Sequence, residues 1–240
     1  MNLDILELEQ VAAASAAPRL DLYADIHKAL RALLSDTLLA VGRMDPGDAA
    51  QVAAASQRVA QMLDLCAAHV RHEDRFMHPA IEARAPGTTA AVGHDHREHE
   101  RAIAALRALT GRLGVTPAPR RAGLARTLYL QLSRFVAHNL DHMCTEETVH
   151  NAALWAHYTD AELAALHDAL VATIPPEEMM FTLGLMLPAI DAGARAAVLS
   201  GLRAGAPEPV FAAVLELAQR VLPEADWREL GRRLAPTSVA

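Results

Sequence analysis

Apolar residues recur along this chain at the spacing of helices, as Ile26, Leu30, Leu33 and Leu34 illustrate. No stretch shows the sustained alternation of apolar and polar residues that marks a strand. The chain is also rich in Ala and Leu, which favour helices, and its Pro and Gly residues are concentrated at a few points. The pattern therefore predicts an all-α fold.

Three short segments rich in Pro and Gly, "GRMDPGD", "APGTT" and "GVTPAPR", interrupt the first two thirds of the chain. They predict four long helices, at residues 18–42, 49–83, 88–113 and 119–157. Because connections this short force sequential helices to run antiparallel, the predicted architecture is an up-down-up-down four-helix bundle.

The character of the sequence changes after His157. The segment "YTDAEL" offers a capping box in which Thr159 and Glu162 begin a helix, and "IPPEEMM" starts another. The predicted short helices span 160–173, 176–187, 191–204, 207–222 and 224–234. We therefore expect a bundle domain at 18–157 and a smaller helical C-terminal extension at 158–240, which is a candidate surface for a protein partner or for self-association.

Composition and charge narrow the classes of function. Hydrophobic residues make up 52% of the 240 residues and charged residues 21%, as in a soluble globular protein. The net charge of −7 argues against a nucleic-acid partner, and no apolar run is long enough to span a membrane. The acidic N-terminus does not resemble a signal peptide, which predicts a cytoplasmic protein whose Cys66 and Cys144 are reduced, small and buried.

Histidine is unusually frequent, and all but one of the 12 histidines fall between His27 and His157. Two predicted helices carry a histidine followed four residues later by a glutamate, which places both side chains on one helix face. The first predicted helix contributes His27 and the third contributes candidates in "HDHREHE". The two pairs are His69 with Glu73 and His142 with Glu146.

These groups are predicted to lie at one level of the bundle. Across each connecting turn, facing candidates differ by only three or four residues in their distance from the turn, which is roughly one helical turn. Four imidazoles and two carboxylates suit a pair of iron ions, and zinc or manganese is the alternative. A metal is expected there, because such groups are costly to bury unpaired.

The segments "HVRHEDRFMHP", "DHREHE" and "HMCTEE", together with His27, resemble the hemerythrin-like (HHE cation-binding) family over about residues 20–157. The resemblance implies a non-haem centre of two iron ions with an oxo or hydroxo bridge. In that centre the carboxylates would bridge the ions and the imidazoles would be terminal ligands. The implied metal ligands are His27, His69, Glu73, His96, His142 and Glu146.

Two departures separate the chain from the oxygen-carrying members of the family. The residue four after His96 is Glu100 where those proteins have a second histidine, and the last motif ends in Glu146 where they have Asp. The closer resemblance is to bacterial and regulatory members linked to oxygen, nitric oxide or iron sensing and to nitrosative-stress repair.

Several assignments stay open at the level of sequence. His99 could replace His96, and His138 could add a fifth imidazole or hydrogen-bond a ligand. Tyr23 lies one turn before His27 and could face a bound ligand or serve in packing. The remaining histidines are predicted to be surface or capping residues: His72, His78, His94, His150, His157 and His167.

The expected function is the binding of a small diatomic molecule or peroxide for sensing, storage or stress response. One alternative is a di-iron oxidoreductase that reduces nitric oxide or peroxide or repairs iron–sulfur centres. Another is a metal-containing helical scaffold that binds a partner.

Overall fold

A computed structural model describes residues 19–235, and this part of the chain is built from helices and their connections. The long helices of the N-terminal part are interrupted by short turns of a different helical type. The α-helices here are α1 (Ala24–Arg43), α2 (Ala49–His72), α3 (His78–Arg84), α4 (Ala90–Val115), α5 (Arg121–Thr145) and α6 (Asn151–His157). Two π-helical turns, Glu73–Met77 and Glu146–His150, join α2 to α3 and α5 to α6, and a 3₁₀ turn, Ala118–Arg120, precedes α5.

Five shorter helices follow, and they agree with the predicted extension. They are α7 (Asp160–Val171), α8 (Pro176–Ala189), α9 (Ala192–Gly205), α10 (Glu208–Val221) and α11 (Glu224–Leu234). The predicted class, an all-α bundle with a helical C-terminal extension, is therefore confirmed. Within residues 19–235, none of the helices combines the length and the apolar character that a membrane span requires.

The first helix begins later than predicted, at Ala24, while residue 18 lies outside the described part of the chain. The side chain of Asp21 explains the start, because its Oδ1 accepts hydrogen bonds from the backbone N–H groups of Tyr23 (2.8 Å) and Ala24 (3.0 Å). A carboxylate in this position satisfies N–H groups that lack a partner within the helix.

Helix α7 begins with the predicted capping box. The hydroxyl of Thr159 accepts the N–H of Glu162, and the carboxylate of Glu162 accepts the N–H of Thr159.

The two cysteines differ in environment. Cys66 is buried, as predicted, whereas Cys144 is exposed, which corrects the prediction for Cys144.

The described residues divide into two compact units, one made of 19–24 and 34–173 and the other of 25–33 and 174–235. In the first unit, α4 packs along both α2 and α5. A cluster of Tyr23, Met77, Ile81, Leu154 and Leu163 forms a core beside the two π-helical turns. The predicted domain boundary after residue 157 stays a prediction.

The second unit has an apolar core of its own, formed mainly by leucines of its short helices, together with Phe211 and Val214. Arg195 is a buried cation in this unit. Its Nε donates to the carbonyl of Leu187 (2.8 Å) and its Nη2 to the carbonyl of Ile190 (3.0 Å). The guanidinium thus satisfies carbonyls at the C-terminal end of α8, which otherwise have no partner within the helix.

Acid should weaken the connection between α3 and α4 through Glu82. Its carboxylate accepts the N–H groups of Gly87 and Thr89 and the Thr89 hydroxyl, and these bonds, the one from Gly87 first, lower the pKa of Glu82 from 4.5 to about 2. A carboxyl with a lowered folded-state pKa stabilises the protein above its unfolded pKa, and the stabilisation is lost as pH falls towards the folded pKa. Glu82→Gln should therefore be less stable than the wild type at pH 6, and the difference should vanish between pH 4.5 and 2 in urea unfolding. Glu208→Gln, at an exposed position, is the control. If the stability difference between this variant and the wild type narrowed equally between pH 4.5 and 2, the assignment of the pH effect to Glu82 would be contradicted.

Removing the Arg195 guanidinium should destabilise the second unit. Arg195→Met keeps much of the buried stem but leaves two carbonyls without their donors, so we expect a loss of roughly 2–3 kcal/mol in the free energy of unfolding. Urea unfolding followed by circular dichroism measures this loss. Arg220→Met, at an exposed position of α10, is the matched control and should change stability little. Equal stability of the two variants would argue against a structural role for Arg195.

Candidate metal centre

Two buried glutamates form the middle of the candidate centre. Glu73 follows α2 and Glu146 follows α5, and each is the first residue of a π-helical turn. Their exposed fractions are only 3% and 0%. Two carboxylates removed from water in this way require positive charge or hydrogen-bond donors close by.

Histidines from α4 and α5 face both glutamates. The Nε2 atom of His96 lies 3.4 Å from an oxygen of Glu73 and 3.7 Å from an oxygen of Glu146. The Nε2 atom of His142 lies 3.3 Å from the same oxygen of Glu146. All four side chains are buried, and their ligand atoms lie within 4.8 Å of one another.

The spacing of the two imidazoles fits a shared cation. The Nε2 atoms of His96 and His142 are 3.2 Å apart. Two nitrogens that each lie about 2.1 Å from one metal ion are separated by about 3.0–3.4 Å at the angles of octahedral or tetrahedral coordination. The separation of the two nitrogens is thus compatible with both of them binding one cation.

The other two candidate histidines are also on the bundle helices. The Nε2 atom of His69 lies 3.2 Å from the Oε1 atom of Glu73, as the four-residue spacing predicts. His27 is fully buried on α1, within the segment 25–33 that groups with the second unit.

Two aspartates contact the Nδ1 atoms of His96 and His142, whose Nε2 atoms face the glutamates. The Nδ1 atom of His96 is 2.7 Å from Asp74, and the Nδ1 atom of His142 is 3.4 Å from Asp95. When Nδ1 carries the proton and donates it to a carboxylate, Nε2 is left with a lone pair that faces the glutamates. Sequence reasoning gave no role to Asp95, although it immediately precedes His96.

The electrostatics of the site favour a cation. Burial lowers the pKa of His96, but hydrogen bonds to Glu146 and Glu73 outweigh it and raise that pKa to about 10. The pKa of His142 is raised against the effect of burial, by Glu146 above all. Without metal, protons on these imidazoles balance the carboxylates, and a metal ion that binds here must displace them.

His96 and the alternative histidines, His99 and His138, lie in different surroundings. His96 is in the group with both glutamates, whereas His99 packs against Phe135 and His142 and its ring nitrogens have no hydrogen-bond partner among the described residues. Burial, and then the charge of His142, lower the pKa of His99 to about 3. His138 is partly exposed, and its Nε2 lies 3.5 Å from Asp95.

The prediction that His78 and His150 are surface or capping residues is wrong, because both are buried beside Glu146. In an α-helix, residue 78 would lie roughly 140° around the axis from residue 73. The π-helical turn accommodates one more residue, and the N–H of His78 bonds to the carbonyl of Glu73 five positions earlier. The turn thereby returns His78 to the face of Glu73, which a reading based on the α-helical period could not anticipate.

Comparison with known protein families assigns most of the N-terminal part of the chain to one family. A family model described as the hemerythrin HHE cation binding domain matches residues 19–154. This match covers more than half of the chain and includes every candidate ligand described above. No curated protein and no solved structure matches the chain significantly.

Loss of the Asp74 carboxylate should weaken metal binding without removing a ligand. Asp74→Ala frees the Nδ1 side of His96, and loss of such a supporting hydrogen bond lowers metal affinity by about 10–100-fold. Competition with a chelator for Co²⁺ measures the change. Asp168→Ala, at a highly exposed aspartate, is the control and should leave the affinity unchanged. Equal affinities in the two variants would show that Asp74 does not support the site.

Proposed function

The chain belongs to the hemerythrin HHE cation-binding family, and from that premise we propose that it is a non-haem di-iron protein that binds a small diatomic molecule or peroxide. The observation that carries the proposal is the convergence of the His96 and His142 Nε2 atoms, 3.2 Å apart, on two buried glutamates. Imidazole and carboxylate together suit divalent iron, and a carboxylate can bridge two ions.

We assign the two ions to two sets of ligands that share the glutamates. His96 and His142 hold one ion with Glu73 and Glu146. We assign His27 and His69 to the other ion, with the same glutamates. Each glutamate offers two oxygens, so one carboxylate can serve both ions.

A small exogenous ligand is favoured by the number and the burial of the ligands. Six side chains, with each glutamate counted twice, fill about eight of the twelve positions of two six-coordinate ions. Bound iron supplies the capacity to take up such a ligand at the remaining positions. The exposed fractions of His96 and His142 are 2% and 4%, so a large substrate could not approach them.

Metal analysis and absorption spectra of the desalted full chain test this proposal. We expect two irons per chain and the absorption of a bridged di-ferric centre in the oxidised protein. His69→Ala combined with His142→Ala should abolish both signals, because each substitution removes a ligand from one ion. His94→Ala combined with His157→Ala changes two exposed histidines and should retain both signals.

Other results would point to the alternative functions. Less than about one metal per wild-type chain from iron-replete cells would contradict a di-iron protein and favour a scaffold. A spectral shift of the ferrous protein with one equivalent of nitric oxide, without further consumption, supports a binding function. Continuous consumption of nitric oxide or peroxide with an electron donor would instead favour an oxidoreductase.

A further inference from the structure

Two histidines that have no place in the six-ligand centre meet a third side chain beside it. His78 and His150 lie at the ends of the two π-helical turns, and their ring centroids are 5.4 Å apart in an edge-to-face arrangement. Together with Glu146 they offer three ligand atoms within 4.8 Å of one another, and all three side chains are buried.

Each of these imidazoles has a polar side chain next to its Nδ1 atom. The Nδ1 atom of His78 lies 3.0 Å from Oδ1 of Asp74, and this negative charge favours a proton on Nδ1. The Nδ1 atom of His150 is 3.3 Å from the hydroxyl of Tyr23. When both Nδ1 atoms carry the proton, both Nε2 atoms present a lone pair, which is the tautomer a metal ligand needs.

The Nε2 atoms of His78 and His150 are buried and have no hydrogen-bond partner among the described residues. A buried polar atom without a partner is costly, and two such atoms on facing rings are unusual in a packed core. A cation between them would satisfy both nitrogens at once and would also be balanced by the Glu146 carboxylate.

We propose that His78, His150 and Glu146 form an auxiliary cation site next to the di-iron centre. Two imidazoles and one carboxylate select a divalent first-row transition ion, such as Fe²⁺ or Zn²⁺, over Mg²⁺ or Ca²⁺, which prefer oxygen ligands. The site adjoins the centre proposed above and shares Glu146 with it, but its own ligands do not require that centre to hold iron.

The auxiliary site should bind more weakly than the di-iron centre. Its carboxylate is shared, and ions in the neighbouring centre repel a further cation. We therefore expect it to fill when metal is in excess and to empty on desalting, so that the desalted protein retains two ions.

Titration of the metal-free full chain with Co²⁺, followed by visible absorption, tests the auxiliary site. The wild type should bind three equivalents, the third with the lowest affinity, and His150→Asn and His78→Asn should each bind two. His157→Asn makes the same change at an exposed histidine and should bind three. Circular dichroism establishes that each variant is folded, and the two substitutions at different positions guard against one of them failing to fold.

The variant His69→Ala/His142→Ala separates this proposal from the di-iron proposal. It leaves His78, His150 and Glu146 intact, so it should still bind one equivalent of Co²⁺, which the addition of His150→Asn should abolish. In Co²⁺-soaked crystals, anomalous scattering should show a peak between the Nε2 atoms of His78 and His150. Two equivalents in both the wild type and His150→Asn, or no anomalous peak there, would overturn the auxiliary site and leave the di-iron centre standing.

Discussion

The burial of two carboxylates inside a helical core is the constraint on which the rest of this structure depends. Glu73 and Glu146 are almost entirely removed from water, and an uncompensated negative charge there would oppose the packing of the helices around it. The imidazoles of His96 and His142 provide the compensation, either as protonated rings or as ligands of a cation. One arrangement therefore serves both the fold and the chemistry of the site.

The backbone takes part in this arrangement as well as the side chains. Both glutamates begin π-helical turns, and such turns are rare and concentrated at functional sites. After Glu73 the additional residue turns His78, five positions on, back towards the cluster. His150 lies four positions after Glu146, a spacing that places two side chains on one face of a regular helix as well. The turn after α2 thus adds to the cluster an imidazole that a regular helix would direct to another face.

Sequence reasoning could predict the helices and the common face of each His–Glu pair, because both depend on local rules. Pro and Gly positions delimit the helices, and the four-residue spacing of His69 and Glu73 fixes their common face. The position of His78 could not be predicted in this way, because the π-helical turn after Glu73 shifts it to a face that the α-helical period does not give. His150, four residues after Glu146, was within reach of the same four-residue rule. Asp95 was missed because its function depends on His142, which lies on a different helix.

His78 and His150 contact different groups through their Nδ1 atoms, so the two sides of the cluster differ in charge and in exposure to solvent. His78 rests on Asp74, whose side chain is 47% exposed and also accepts a hydrogen bond from His96. His150 rests on Tyr23, which is buried, and whose pKa is raised by burial and then by Glu73 and Glu146. A neutral phenol closes the cluster on the inner side, while a carboxylate that reaches solvent forms its outer side. Cations approaching the buried glutamates are attracted to the outer side, because that is where the negative charge meets water.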